Sequence, residues 1–164
     1  MDKEYWKRRY QGTWKAGNKR EELFQQTLED WGYTAKNFGF ETLSEDYNPE
    51  SPEEKGKPDF YIDYFDKKIY FEVTGTDSPR TSEHDAIWLR PDKIEYAKKH
   101  NLITYCVHIL SAKSLIRFLD MRGINTKNVI HPIIRGTRET YIEVLASECI
   151  SLTKFEEMLK KKKI

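Results

Sequence analysis

Two carboxylates, Asp59 and Glu72, lie in neighbouring segments with the composition of β-strands. Asp59 opens a run rich in aromatic residues (DFYIDYF), and Glu72 lies within a second such run (KIYFEVTGT). Aromatic and β-branched runs joined by a short polar turn predict a β-hairpin. The hairpin would bring two acidic side chains, distant by thirteen positions in sequence, close together in space.

The register of this hairpin decides which side chains share a face. With a two-residue turn at Asp66-Lys67, Thr74 lies opposite Asp59 and Glu72 lies opposite Tyr61. Residues two apart on a strand project from the same face. We therefore expect Asp59, Glu72 and Thr74 to share one face, although a longer turn or a bulge would change the register.

Converging carboxylates repel each other unless a cation neutralises them. Mg²⁺ prefers oxygen ligands, and it commonly takes one or two carboxylates together with water and substrate phosphate. Such an ion can activate water and stabilise charge on a phosphodiester. The backbone carbonyl of Val73, between Glu72 and Thr74, could supply one more oxygen. The pattern therefore indicates a site that could hold a divalent cation such as Mg²⁺.

The segments around the hairpin predict the elements that must position it. Helical spacing of apolar residues predicts a helix over 19–31 that Gly32 ends, and a strand follows over 33–40. An acidic loop over 41–57 and a polar connection over 77–90 flank the hairpin. The remaining predictions are a helix from Pro91 to about His100, a buried strand over 102–110, a helix over 112–122, strands over 129–134 and 140–145, and a helix over 152–161 capped by Ser151 or Thr153. This order predicts an α/β fold with helices covering a mixed central sheet.

Composition and charge narrow the class of protein. The 164 residues suit one domain, and the net charge of +1 does not itself indicate nucleic acid. Two cysteines make neither a disulfide framework nor a zinc site. With no long apolar segment and no signal-peptide core, we expect a soluble, cytoplasmic protein without membrane contact. The composition of residues 1–18 predicts a basic, aromatic arm or helix, which would either bind nucleic acid or pack onto the domain.

The sequences Pro58-Asp59 and Glu72-Val73-Thr74 resemble the motif of the PD-(D/E)xK nuclease superfamily. The resemblance implies a restriction-endonuclease-like core of order αβββαβ over residues 19–111, within one domain of residues 19–164 whose C-terminal extension is 112–164. Residues 20–33 look most like the first helix of archaeal Holliday-junction resolvases. The resemblance also implies a Mg²⁺- or Mn²⁺-dependent endonuclease that acts on DNA as a homodimer, with Glu21 as a further metal ligand.

One position departs from the superfamily's pattern. Thr74 stands where the motif usually has a lysine, and a hydroxyl can hold a water but carries no positive charge. Lys93 on the following helix is the first candidate to replace that lysine, and Lys57 is the second. If neither reaches the site, a DNA-binding or protein-binding module with weakened catalysis is the alternative, and an unrelated domain with structural hairpin carboxylates is a third.

The segment that comes after the motif strand carries the candidates for contacts with DNA. Arg80 and Arg90 lie in this connection and could bind phosphates, together with Lys57 beside the motif. His84 lies in the same loop, where a lone histidine usually has no special role.

Overall fold

The structure, a computed structural model, describes residues 19–38 and 56–164. In this part of the chain the helices are α1 (residues 19–30), α2 (Pro91–Lys99) and α3 (Leu152–Lys160). The strands are β1 (Lys36–Asn37), β2 (Phe60–Tyr64), β3 (Lys67–Thr76), β4 (Ile87–Leu89), β5 (Thr104–Leu110), β6 (Leu115–Asp120), β7 (Val129–Ile130), β8 (Ile133–Ile134), β9 (Thr137–Arg138), β10 (Tyr141–Val144) and β11 (Ile150–Ser151). The predicted N-terminal arm and nearly all of the acidic loop over 41–57 fall outside the described residues.

A six-stranded mixed sheet forms the centre of the fold. Its strand order is β1-β2-β3-β5-β6-β11, in which β3 and β5 are parallel and the other neighbours are antiparallel. A parallel pair needs a long crossover, and here the crossover is the segment that contains β4 and α2. The order α1, a three-strand meander, α2 and the buried β5 confirms the predicted three-layer α/β fold.

The β2–β3 hairpin differs in register from the prediction. Tyr64 pairs with Lys67, so the two turn residues are Phe65 and Asp66 rather than Asp66 and Lys67. Phe65 adopts a positive φ of 54°, a conformation that two-residue hairpin turns commonly require. The register therefore differs from the prediction by two residues. Because side chains alternate with a period of two, this shift leaves every predicted face unchanged, whereas a shift of one would have exchanged the faces.

Each face of the sheet packs against its own layer. The face under α1 and α3 is filled by aromatic and aliphatic side chains, with Phe24 of α1 and Phe155 of α3 fully buried against Phe71 and Phe118. The opposite face is covered by α2 and by a smaller sheet of order β4-β10-β7. A central strand such as β5, in which every residue is buried, is nearly continuously apolar for this reason.

The helix predicted over residues 112–122 is wrong. The segment forms β6, which pairs with β5, and short 3-10 turns flank it at Ser111–Lys113 and Met121–Gly123. Leu115, Phe118 and Leu119 are spaced like one face of a helix. In β6, however, Phe118 packs into the core under α1 and Leu119 into the core under α2. A strand that is buried on both faces loses its period-two alternation, so periodicity alone cannot separate it from a helix.

Three other boundaries differ from the prediction. The polar connection over 77–90 contains β4, a strand of the small sheet whose Ile87 and Leu89 are buried in the core shared with α2 and the central sheet. The strand predicted over 33–40 is limited, within its described part, to Lys36–Asn37. The strand predicted over 129–134 is divided into β7 and β8, and the one predicted over 140–145 is β10. The unpredicted β9 lies between them, after a turn at Arg135 and Gly136.

Two local features help to define the elements of the fold. A Cβ atom on Gly75 would lie 2.0 Å from the carbonyl oxygen of Ile109, so β3 and β5 approach each other at this point as only a glycine allows. At the other end of the fold, the Ser151 hydroxyl accepts a hydrogen bond from the Lys154 N–H and caps α3, which resolves the choice between Ser151 and Thr153. Of the helices that the structure describes, none is long and apolar enough to span a bilayer.

Candidate active site

Asp59 occupies the position immediately before β2, where the hairpin leaves the buried core. Its N–H donates to the Phe71 carbonyl over 2.9 Å, and its Oδ2 atom accepts from the Val73 N–H over 2.8 Å. The side chain is therefore held by the strand that carries Glu72. The pKa of Asp59 is raised to about 7, chiefly by burial and then by the neighbouring Glu21 carboxyl, against the opposing effect of Lys93.

Phe71 of β3 pairs with Phe60 of β2. Glu72 follows Phe71 and Asp59 precedes Phe60, so the two acids lie opposite each other in the hairpin. The pKa of Glu72 is raised to about 8, chiefly by burial and then by the Asp59 carboxylate. These two largely buried acids disfavour each other's ionisation, so a cation bound between them would favour their charged forms. Residues with strongly shifted pKa values that share one site are candidates for function.

Lys93 of α2 supplies positive charge to this site. Its Nζ atom lies 3.1 Å from Oε2 of Glu72 and donates a hydrogen bond of 2.8 Å to the Lys57 carbonyl. Burial alone would lower the pKa of Lys93, but the Glu72 and Asp59 carboxylates outweigh it, and the pKa is raised. The ammonium group therefore stays charged although it is largely buried.

Glu21 reaches the site from α1. Phe24 and Leu28, three and seven positions further along the helix, are fully buried and turn this face of α1 toward the sheet. The Glu21 carboxyl forms a hydrogen bond with that of Asp59, a contact that helps to raise the pKa of Asp59. Two carboxyls can share a hydrogen bond only when one of them carries a proton, which agrees with the raised value.

Thr74 and Val73 continue the motif strand beyond Glu72. Thr74 is partly buried and shares the face of Glu72, and it pairs with His108 across the parallel β3–β5 ladder. The Val73 N–H is directed at Asp59. Because the N–H and C=O groups of a strand residue point toward the same neighbour, the Val73 carbonyl faces the edge on which Asp59 lies.

The predicted DNA-contacting residues are at different distances from this cluster. Arg90 borders it, since its charge affects the pKa values of both Glu72 and Lys93. Arg90 is half-exposed and donates two hydrogen bonds to the Asp92 carboxylate. Lys57 contributes its carbonyl to Lys93, while its own ammonium lies over the Phe38 ring. Arg80 is exposed on the loop after β3, and His84 on the same loop is also exposed.

A second polar cluster was not predicted from the sequence. Arg117 of β6 and His108 of β5 are buried neighbours across the sheet, 3.2 Å apart between Nε of the arginine and Nδ1 of the histidine. Arg20, one residue before Glu21, lies close enough for its charge to affect His108. An arginine within the apolar run Leu115–Leu119 was the available signal, but the helical interpretation of that run concealed it.

The donor set at the first cluster fits a hard divalent cation. It consists of carboxylate oxygens and a backbone carbonyl, the ligands that Mg²⁺ prefers. The Oε2 atom of Glu72 is buried, and no hydrogen-bond donor in the described part of the chain is well directed at it. Across residues 19–38 and 56–164, however, no three histidine, cysteine, aspartate or glutamate side chains are arranged to hold a metal ion. The geometry therefore fits two carboxylates completed by water and substrate oxygens better than a full set of protein ligands.

The mixed sheet, its three layers and the placement of the hairpin together define the restriction-endonuclease-like fold. Two solved structures share it. The Holliday junction resolvase Hjc of the archaeal hyperthermophile Archaeoglobus fulgidus matches with a TM-score of 0.52 and 13% identity, over 87% of this chain and 96% of that one. A nuclease from a fusselovirus matches with a TM-score of 0.51 and 15% identity, over 88% and 92% of the two chains.

The likeness extends over nearly the whole of both proteins, and it confirms the predicted resemblance at the level of the fold. No family model matches the sequence, and no curated protein matches it.

Proposed function

We propose that the protein is a metal-dependent endonuclease that hydrolyses phosphodiester bonds in DNA. The observation that carries the proposal is the convergence of Glu21, Asp59, Glu72 and Lys93 from α1, the β2–β3 hairpin and α2. Three acids against one lysine cannot all ionise at low cost in this largely buried site, and a bound cation would favour their ionised forms. The nuclease neighbours support a nucleic-acid substrate for this fold.

The proposed roles are based on the contacts. Asp59 and Glu72 would hold Mg²⁺ or Mn²⁺ together with the Val73 carbonyl, water and substrate oxygens. Glu21 would become a further ligand by exchanging its hydrogen bond with Asp59 for the ion. The bound ion would supply a water activated for attack and would offset charge on the phosphate. The hydrogen bond from the Val73 N–H already fixes the Asp59 side chain, so binding an ion would cost that side chain little further conformational freedom.

Lys93 would act on the attacking water or on a phosphate oxygen. Its raised pKa keeps it cationic, so it donates protons in hydrogen bonds and does not act as a base. A fixed cation at the point where negative charge develops stabilises the transition state more than a solvated, mobile cation does. Thr74, two residues beyond Glu72 on the same face, would hold a water through its hydroxyl. Arg80, Arg90 and Lys57 would contact DNA outside the site.

A second candidate is a binding module that has lost efficient cleavage. It is favoured by Thr74 in place of the motif lysine, and by the engagement of Lys93 with both Glu72 and the Lys57 carbonyl. Such a module would bind DNA without requiring the carboxylates. The two candidates therefore differ in how DNA binding and cleavage depend on Asp59 and Glu72.

The test is a cleavage assay on plasmid, linear, single-stranded and four-way-junction DNA in Mg²⁺, Mn²⁺ or EDTA. The variants are Asp59→Asn and Glu72→Gln, which keep the shape of each side chain and remove its charge. Asp63→Asn is the matched control, since Asp63 lies on the same hairpin, is half-exposed and pairs with Lys36. We expect metal-dependent cleavage that both site variants lose by about a hundredfold or more, with the control unchanged.

Two readouts separate the candidates. Calorimetry of Mn²⁺ binding to the protein alone should show binding in the parent and in Asp63→Asn that is lost in Asp59→Asn. DNA binding that persists in all variants without any cleavage would instead favour the binding module. The expected homodimer is measured in the same preparations by light scattering, with and without DNA.

A further inference from the structure

The polar cluster formed by the partly buried Arg20 and the buried His108 and Arg117 is outside the proposed metal site, and its contacts converge on one segment. Arg117 Nη1 donates hydrogen bonds of 2.8 Å to the carbonyls of Glu83 and Asp85. Arg20 Nη1 lies 3.2 Å from Oδ1 of Asp77. All three acceptors belong to the segment 77–86, hereafter the clamped loop, which joins β3 to β4.

The two arginines approach the clamped loop from different elements. Arg20 comes from α1 and reaches the first residue of the loop, whereas Arg117 comes from β6 and reaches its middle. Among the other side-chain hydrogen bonds of this loop, those of Ser78, Ser82 and Asp85 join near neighbours within it. Within residues 19–38 and 56–164, the arginine contacts therefore tie the loop to distant elements, α1 and β6.

His108 sets the orientation of Arg117. The Arg117 Nε–H donates to His108 Nδ1, which can accept only when that ring nitrogen carries no proton. The pKa of His108 is lowered to about 4, chiefly by burial and then by the charges of Arg117 and Arg20. The ring is thus neutral at physiological pH and remains an acceptor. A guanidinium with its Nε fixed in this way directs its Nη1 at a constant position.

The clamped loop connects two parts of the proposed active site. It begins directly after β3, which carries Glu72 and Thr74, and it leads through β4 to Arg90 and Lys93 at the start of α2. Arg80 and His84 lie on its exposed surface. A displacement of the loop would therefore move cationic side chains at the border of the carboxylates, while the carboxylates themselves would keep their support from the hairpin.

We infer that Arg117 and Arg20 are positioning residues that hold the clamped loop as one wall of the DNA-binding surface. The part of this inference that concerns DNA rests on the proposed endonuclease function. The clamp itself does not, since it is a property of the protein without substrate. Neither arginine needs to touch the reacting phosphate for this role.

The test uses three variants of the full chain. Arg117→Met removes every hydrogen bond of the guanidinium while keeping much of the side-chain volume, and Arg117→Lys keeps the charge but not the fork of donors. Asp77→Asn weakens the Arg20 contact at a side chain that is 62% exposed, so the fold should survive it. Asp30→Asn, at an exposed aspartate near the end of α1, is the matched control.

The first readout is amide hydrogen exchange of the metal-free protein without DNA. We expect exchange in the clamped loop to rise about tenfold or more in Arg117→Met and by a smaller factor in Asp77→Asn, because hydrogen bonds to charged groups are lost. Exchange in β5 and β3 should stay near the parent's rate. Unchanged loop exchange in Asp77→Asn and in either Arg117 variant would overturn the clamp, and so would a rise of equal size in β5. If Arg117→Met does not fold, Arg117→Lys and Asp77→Asn decide the matter.

The second readout is DNA affinity and, in a cleaving preparation, the separate values of KM and kcat. A positioning role predicts a DNA Kd and a KM raised about tenfold with kcat within about threefold of the parent. A fall in kcat at constant KM would overturn it, because the arginine would then act on the reacting atoms. If the parent cleaves no DNA, the proposed function fails while hydrogen exchange and the DNA Kd still test the clamp.

Discussion

Lys93 Nζ lies 3.1 Å from Oε2 of Glu72 although the two residues belong to different layers of the fold. Glu72 is on the central sheet and Lys93 is on the helix that covers it. The motif of the superfamily places its lysine two residues after the glutamate on the same strand, where this chain has Thr74. The positive charge near the carboxylates therefore comes from a different element of the fold.

Removing that charge should strongly reduce cleavage. In Lys93→Met the carboxylates lose the cation that opposes their mutual repulsion, and the reacting phosphate loses a donor. We expect kcat to fall by about 10²- to 10³-fold, the usual effect of removing one such donor. Lys99→Met, at an exposed lysine on the same helix, is the control and should retain the parent's kcat. A Lys93→Met enzyme with parental kcat would exclude Lys93 from the chemistry.

A lysine placed at Thr74 should restore part of this activity. Thr74 is two residues from Glu72 on one strand face, a separation of about 7 Å that a lysine side chain can cross. In Lys93→Met/Thr74→Lys we expect a recovery of about tenfold or more over Lys93→Met, measured as kcat on the preferred substrate. The control is the double variant Lys93→Met/Thr74→Met, which should give no recovery. A double variant as slow as Lys93→Met would show that the motif position no longer faces the reacting atoms.

The metal-free protein should lose stability as the pH rises. The pKa of Glu72 is raised from 4.5 to about 8, so the folded protein keeps a proton that the unfolded chain releases. The unfolding free energy should thus decrease between about pH 6.5 and pH 8 by about 1.4 kcal/mol per pH unit for each group that stays protonated. Above pH 6.5, the pKa of His108 in the unfolded chain, this histidine is mostly neutral in both states and so contributes little to the change.

The measurement is urea unfolding in EDTA at these pH values for the parent and Glu72→Gln. The variant should show a shallower decrease, because its amide does not titrate. Saturating Mg²⁺ should remove much of the decrease in the parent, since a bound cation favours the ionised carboxylates. Parallel pH profiles for the parent and the variant would show that Glu72 does not titrate in this range.

The cap of α3 should contribute to stability away from the site. In Ser151→Ala the Lys154 N–H loses its acceptor, and we expect a loss of about 1 kcal/mol in the free energy of unfolding. Thr153→Ala is the comparison, since Thr153 lies within the helix and should cost much less. Chemical unfolding at fixed pH measures both, and equal losses for the two variants would contradict the assignment of the cap.

The hairpin and the first helix were predictable because local patterns determine them. Strand composition located β2 and β3, and an error of two residues in register did not alter the face of Asp59, Glu72 or Thr74. The helical spacing of Glu21 relative to Phe24 and Leu28 also predicted that Glu21 lies on the face of α1 that is turned toward the sheet. Such features depend on neighbours within a few residues, where periodicity is informative.

The cluster of Arg20, His108 and Arg117 was not predictable in the same way. It depends on the pairing of β5 with β6, and β6 resembled a helix because it is buried on both faces. The orientation of Arg117 also depends on carbonyls of a loop more than thirty residues earlier in the chain. Contacts of this kind are set by tertiary packing, which no local window of sequence contains.

The close approach of β3 and β5 at Gly75 has a consequence for the evolution of this fold. Even the single methyl group of an alanine would meet the Ile109 carbonyl, so any side chain at position 75 must push the β5 backbone away. His108 is the residue next to Ile109, and it would move with that backbone. In a saturation library selected for function, replacements at Gly75 should therefore be depleted as thoroughly as those at Asp59, although glycine has no side chain with which to take part in chemistry.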